Sequence, residues 1–428
     1  MRRAAGCALA AVLALAGCTS GPTPSPTASP PSATPIGSPS DSAGVLRFAI
    51  AAEPSGFLPP ALDAGTARIQ HFLYDALYRL DDHLRAQPDL AAGAPSVSSD
   101  GRTWVIDLRT SATFSDGSHL SAADVVTTYG LALSPACPFA ADQCRLARIH
   151  LDAVTAEGSG MVVFSLSAPF APLQAELLAA LPILPAKALG DSLDRLLADA
   201  GGTDPVTLSA AVDRITSATS AEGCLAPSPP VGCDLADHID EMTGLAVAAH
   251  LAALDPRRYV DDTGAPDRSS FGAALLARLR DLAAVLTMKK LDRLAAALPL
   301  LDLDRAPIGT GAYRLTRYEP GAFVELERRT RPKAGQPARI RAIVLPDPTA
   351  AATALLSGQL DWLPDVAPEL APVLAGDPTV HVAARPSGSV RALVFNVRAG
   401  HPFAAEVARQ ALVRCLDRPA LVARATQG

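Results

Sequence analysis

"SSDGRTWVIDLRTSATFSDGSHLSAADV", residues 98–125, sets two turns, a strand and a helix start next to one another. Asp100-Gly101 reads as a turn. After it Trp104, Ile106 and Leu108 alternate with more polar neighbours, the period of a half-buried strand over Thr103–Arg109. Ser115-Asp116-Gly117 is a second turn. Ser121 and Asp124 then form a Ser-x-x-Asp capping box before the helix that carries Val125 and Val126.

The same vocabulary continues on both sides. Val45–Ile50 reads as a strand, and Glu53–Pro60, broken by Pro and Gly, as a loop. Ile69, Phe72, Leu73, Leu77 and Leu80 fall at helical spacing over 66–80. Met161–Ser167 is another strand. From about 190 to 300 the chain turns Ala/Leu/Asp/Arg-rich and helical. There Leu275, Leu279, Leu282 and Leu286 form an apolar stripe, which reads as core. Strand character returns at Gly311–Arg317. Glu319-Pro320-Gly321 suits a type II turn, with Pro fixing φ and Gly taking positive φ, and Phe323–Arg328 completes a hairpin. A strand at Arg339–Leu345 and a helix at Thr349–Gly358 follow. Two strand-like runs, Val380–Ala384 and Val390–Asn396, precede a last helix, Glu406–Leu416, whose Cys415 is expected to be a buried thiol.

The amino terminus gives the location. Arg2 and Arg3 precede a small-residue apolar run, Ala4–Gly17. That run is too short for a bilayer span, which needs about 20 residues, and suits an export signal, whose apolar core is about 7–15 residues. Leu15-Ala16-Gly17-Cys18 resembles the bacterial lipobox, which implies lipid on Cys18. Residues 19–44, dominated by Pro, Ser, Thr and Gly, then form an extended, solvated tether. The divisions are a signal peptide at 1–17 and an anchor with tether at 18–44.

Of 428 residues, 37 are Lys or Arg and 43 Asp or Glu, a net charge of −6. Loss of Arg2 and Arg3 with the signal takes it from −6 to −8. A mildly acidic chain is a poor partner for nucleic acid. There are seven cysteines. Cys137/Cys144 and Cys224/Cys233 are close pairs in Pro-containing segments. Export favours oxidation, so each pair reads as a local disulfide. The alternative is free or metal-binding thiols, and no zinc pattern is complete in the sequence around them.

Five segments in order resemble the extracytoplasmic solute-binding proteins of peptide-type ABC importers. They are residues 98–125, "LPILPAK" at 181–187, "PIGTGAYRLTRYEPGAFVELER" at 307–328, "SGQLDW" at 357–362 and "FNVRAGHPFAAEVARQALVRCLDRPALV" at 395–422. The resemblance implies an α/β, two-lobed periplasmic-binding-protein-like clamshell that closes by a hinge. It places the first lobe at 45–394, with a helical insert at about 190–300, and the start of the second at 395–428. Most of the second lobe would follow in the family, so the chain reads as cut short, or as a degenerate member. The loop after the first strand matches a cleft-lining loop, which makes Glu53, Ser55 and Phe57 candidate ligand contacts. This half-site is expected to stand open to solvent. The runs near Arg385 and Asn396 match the crossing strands of the hinge.

The implied role is a lipid-anchored receptor on the outer face of the cytoplasmic membrane. It would act as a monomer that captures a small solute, an oligopeptide first, for the permease and ATPase subunits of an importer. The alternative is a non-transport lipoprotein on the same fold, a scaffold or regulator of envelope assembly. A hydrolase is disfavoured, because no Gly-x-Ser-x-Gly elbow, His-Glu-x-x-His helix or phosphate loop is present. No cofactor is implied, and none of the eight His residues is assigned to a metal.

Overall fold

The structure, a computed structural model, describes residues 44–59, 63–226, 230, 233–261, 265–383 and 392–421. Residues 1–43, with the expected signal peptide, Cys18 and tether, lie outside the described residues. In chain order the first elements are β1 (Val45–Ile50), α1 (Ala64–Leu73), β2 (Tyr78–Leu80), β3 (Ala86–Pro88), β4 (Ser96–Val97) and β5 (Thr103–Asp107). Next come α2 (Ala122–Leu133), α3 (Ala141–His150), β6 (Leu151–Glu157) and β7 (Met161–Leu166). The helices α4 (Ala186–Asp199), α5 (Pro205–Glu222), α6 (Leu235–Ala248), α7 (Arg268–Thr287) and α8 (Lys290–Ala297) follow. The chain then forms β8 (Tyr313–Glu319), β9 (Phe323–Arg328), β10 (Arg339–Val344), α9 (Pro348–Leu356), α10 (Ala371–Ala375) and α11 (Glu406–Arg414). The fold is mixed α/β, as expected.

Two four-stranded sheets carry it. One runs β1-β10-β9-β8, with β1 and β10 parallel from Val45 opposite Arg339 to Ile50 opposite Val344, and the other pairs antiparallel. The other sheet is antiparallel in the order β4-β5-β7-β6. Trp104, Ile106 and Leu108 turn inward together, as their alternation predicts, and face a continuous core that includes Tyr129 and Phe164. Gly321 takes φ 74° in the β8–β9 turn, where only Gly is at ease.

The helix start at Ser121 does more than cap. The Asp124 carboxylate accepts the Ser121 N–H and hydroxyl, each at 2.8 Å, and its other oxygen accepts the Ala186 N–H at 2.8 Å. One turn on, the Thr128 hydroxyl accepts the Leu184 N–H at 3.0 Å. The proline-marked approach to α4 is thus held along α2 by two side-chain acceptors, while the Ile183 N–H bonds the Asp75 carbonyl at 2.9 Å and Pro182 bridges to Ala76.

Three expectations are corrected. The helix over 66–80 ends at Leu73, and Leu80 lies in β2, 42% exposed. The cause is tertiary: Gly311 N–H takes the Leu73 carbonyl at 2.9 Å, and the Thr310 hydroxyl accepts the Asp75 N–H at 3.0 Å. The docked hairpin consumes the bonds that the next helical turn would need. Residues 380–383 and 392–396 form no strand, because no neighbouring strand offers them ladder bonds. Ala384–Arg391, including Arg385, lies outside the described residues. Cys415 is exposed, because α11 has no buried residue among those described.

Between 186 and 297 the described elements are the helices α4–α8 with short 3-10 turns, and Leu275, Leu279 and Leu282 are buried while Leu286 is partly so. Disulfides join Cys137 to Cys144 and Cys224 to Cys233. Among the described residues, no helix is long and apolar enough to cross a membrane.

Candidate functional site

Because β1 and β10 run parallel, their carboxyl ends open on the same edge of the sheet. A crevice outside the carboxyl ends of strands is the usual ligand position in open α/β sheets. Here it is a hollow of about 150 Å³, lined by Ala51, Ala52, Asp63, Arg68, Pro346 and Asp365 among others. Asp63 caps α1 by accepting the Thr66 N–H at 2.7 Å, which fixes the first turn and points Arg68 at the mouth. The Arg68 guanidinium pairs with Asp365 at 2.8 Å and lies over the Trp362 ring, 5.4 Å from its centroid. Trp362 packs on buried Phe48 at 5.3 Å. The Asp365 side chain is 71% exposed, so the pair adds at most about 1 kcal/mol to stability. Its consequence is chemical: a cation, an anion and an aromatic face stand together at the rim.

A larger hollow of about 370 Å³, lined by Asp116, Arg305, Arg314 and Arg317 among others, flanks β8. Its arginines are engaged: Arg314 with Glu327 at 2.7 Å, Arg317 with Glu319 at 3.5 Å, and Arg305 with the Ala253 carbonyl. Arginines are paired in both hollows, and the crevice is favoured because it alone opens at the carboxyl ends of the parallel strands β1 and β10.

Glu53, Ser55 and Phe57 lie on the loop that leaves β1 toward this crevice, but the expectation of an open half-site is corrected for two of them. Glu53 accepts the Tyr318 hydroxyl and, at 2.9 Å, the Gly321 N–H. Burial pushes its carboxyl up, and those two hydrogen bonds oppose the shift. Phe57 is 2% exposed, with its ring edge-on to Tyr318 at 5.1 Å. The Asp304 carboxylate accepts the Phe57 and Leu58 N–H groups at 2.8 and 3.1 Å, and Arg258 donates to the Pro54 carbonyl at 2.7 Å. Ser55 alone is exposed, its N–H bonded to the Thr66 hydroxyl at 2.9 Å. The loop is fastened from β8, from the turn after it and from the chain around α6–α8. Asn396 is exposed and contacts His401 at 3.2 Å.

The sequence did not single out Arg68 or Asp365. Arg68 is one charge on a helix read for its apolar face, and Asp365 is one acid in a Pro-interrupted segment. Trp362 closes the segment 357–362, where nothing local gives its ring a role.

The sequence profile described as "Bacterial extracellular solute-binding proteins, family 5 Middle" matches residues 85–214 and 288–428. The chain belongs to this family. Its profile passes over 215–287, a segment inside the helical stretch. "Protein XP55" of Streptomyces lividans is 36% identical over 154 residues, 35% of this chain and 26% of that protein. "Probable ABC transporter periplasmic-binding protein SapA" of Escherichia coli K12 is 32% identical over 123 residues, 28% of this chain and 22% of that protein. The oligopeptide-binding protein AppA from Bacillus subtilis, solved with a nonapeptide, is 18% identical with a TM-score of 0.47, covering 77% of this chain and 45% of that one. The chain therefore spans less than half of the relatives it matches.

Proposed function

We propose that this family 5 protein is the solute-binding receptor of an ABC importer, with an oligopeptide as its ligand. Family membership over 85–214 and 288–428 carries the reading. The crevice at the carboxyl ends of β1 and β10 supports it, since the Arg68–Asp365 pair and Trp362 offer partners for charged and apolar peptide groups. In this reading the first lobe is 45–394, the helices at about 190–300 are an addition to it, and 395–428 opens the second lobe. Ser55, the exposed member of the three, contacts ligand directly, while Glu53 and Phe57 hold the loop. Lipid on Cys18 retains the protein, as a monomer, on the outer face of the cytoplasmic membrane beside its permease and ATPase subunits.

The test is calorimetry of the mature protein, purified from its own membranes, against pools of two- to five-residue peptides. A raised melting temperature with at least one pool, reduced in Arg68→Glu, is expected. No response to any pool, from protein with an intact cooperative transition, would reject peptides as the ligand. Cys18→Ser should release the protein to the medium or leave an unprocessed precursor. A mutant still processed and acylated would remove the anchor assignment.

A further inference from the structure

The carboxyl end of α5 and the first turn of α6 bring four metal-binding side chains together. Helix α5 ends at Glu222, Gly223 turns left-handed at φ 68°, and the Cys224 N–H closes on the Thr219 carbonyl at 3.0 Å. That cap sets Glu222 and Cys224 side by side, with Cys224 Sγ 3.2 Å from Glu222 Oε2. His238, one turn into α6, puts Nε2 3.3 Å from the same oxygen. The donor atoms of Glu222, Cys224 and His238 all lie within 4.8 Å of one another, and Cys233 is bonded to Cys224.

Each donor suits a zinc-type ion. Such an ion takes Cys sulfur, His nitrogen and carboxylate oxygen in a tetrahedron with bonds of about 2.0–2.3 Å. Donors of one such tetrahedron are separated by about 3–4 Å, the spacing of Glu222 from Cys224 and from His238. Cys224 is fully buried and the His238 side chain only 16% exposed, while Glu222 faces solvent and leaves an entry path. The negative end of the α5 dipole favours a cation. Among the described residues no other group of three such donors meets this spacing, so the Cys137–Cys144 bridge has no comparable surroundings.

We propose that the Cys224–Cys233 bridge exchanges with a metal site. After reduction, Cys224, Cys233, His238 and Glu222 hold one zinc-type divalent ion between α5 and α6. A dithiol supplies the reduction: its two electrons break the S–S bond, its two protons pass to the cysteine sulfurs, and it leaves as a cyclic disulfide. Metal binding then releases those two protons and forms two thiolate–metal bonds. Oxidised and metal-bound states exclude each other, because a disulfide sulfur is no longer a thiolate ligand.

The experiment is cobalt(II) titration of the full mature chain. It is reduced with dithiothreitol, freed of reductant by anaerobic gel filtration, and read by absorption. One cobalt per chain is expected, with thiolate charge-transfer and tetrahedral ligand-field bands that the oxidised chain lacks and that zinc abolishes. His238→Ala should weaken binding by about tenfold or more, and Cys137→Ser/Cys144→Ser should leave it unchanged. No thiolate band in the reduced chain, or a band that survives Cys224→Ser, overturns the proposal. A measurement on the unsubstituted chain guards against variants that fail to fold. Zinc should shield Cys224 and Cys233, but not Cys137 and Cys144, from iodoacetamide after reduction. Equal alkylation of all four also overturns it.

Discussion

The docked hairpin at 307–328 and the helical stretch at 186–297 are held by different physics. In the hairpin the contacts are backbone to backbone. A Cβ on Gly309 would lie 2.0 Å from the Leu73 carbonyl oxygen, and one on Gly311 2.4 Å from that of Phe72. The Arg329 guanidinium then gathers the carbonyls of Thr310 at 2.8 Å, Gly311 at 3.0 Å, Thr113 at 2.8 Å and Phe114 at 2.6 Å. One cation thus joins the hairpin to the second turn of the opening stretch. In the helical stretch, by contrast, stability comes from apolar stripes such as Leu275, Leu279 and Leu282, which many side chains of similar size could supply. The family profile follows the first region and passes over 215–287. Point-to-point backbone contact leaves little room for substitution, whereas stripe packing asks only for volume and period.

The sharpest way to break this contrast is Gly309→Ala. The clash is with backbone, which cannot swing aside, so the cost should exceed about 4 kcal/mol or prevent folding. Urea denaturation that showed a loss under about 1 kcal/mol would mean that the hairpin is loosely seated. Next, Leu279→Ala in α7 should cost about 2–5 kcal/mol through cavity formation, while Leu279→Met should cost under about 1.5 kcal/mol. Equal losses from the two would show the helical stretch to be as exacting as the hairpin.

Asp75 probes the docking seam by pH. Burial, and then the charge of Asp89, push its carboxyl up to about 6 from 3.8. An acid with a raised folded pKa burdens the native state only when ionised. The burden is therefore absent below about 3.8, grows between about 4 and 6, and is complete above that. Asp75→Asn should stabilise the protein by about 1–3 kcal/mol at pH 7 and by nothing at pH 3.5. Thermal melts across that range that stay parallel for the two proteins would refute the buried-charge account. The smallest effect is Gly244→Ala in α6, where an added Cβ meets nothing within 4 Å. A gain of about 0.5–1 kcal/mol in chemical denaturation is expected. A loss there would place an unrecognised contact on the helical stretch.

Much of the fold was legible because its signals are local. The turn at Ser115–Gly117, the Ser121–Asp124 box and the alternation through Trp104, Ile106 and Leu108 each draw on a few neighbouring residues, and each appears where it was read. Strand β6 and helix α3 went unread. In β6 only Leu151 is buried, so the strand shows too little alternation. In α3 only Cys144 and Ala147 are buried, so the helix shows too narrow a stripe. The candidate site was legible only as a loop. Glu53 and Phe57 look like exposed polar and apolar loop residues until Tyr318 and Asp304, more than two hundred positions away, take up the Glu53 carboxylate and the Phe57 N–H.

By itself the sequence determined the strand at 103–109, the helix start at Ser121, the hairpin around Glu319–Gly321 and the two cysteine pairs, while the α/β class came from its resemblance to a family. These follow from dihedral limits, hydrophobic period and proximity along the chain, which act over a few residues. Only the tertiary structure decided that α1 stops at Leu73, that the loop after β1 is fastened rather than open, and that Arg68 meets Asp365 at the crevice. It also decided that His238 and Glu222 stand beside Cys224. Each of these depends on which distant group claims a carbonyl, an N–H or a charge. The chain settles that competition only when the parallel pairing of β1 with β10 and the packing of the helices bring the claimants within bonding distance.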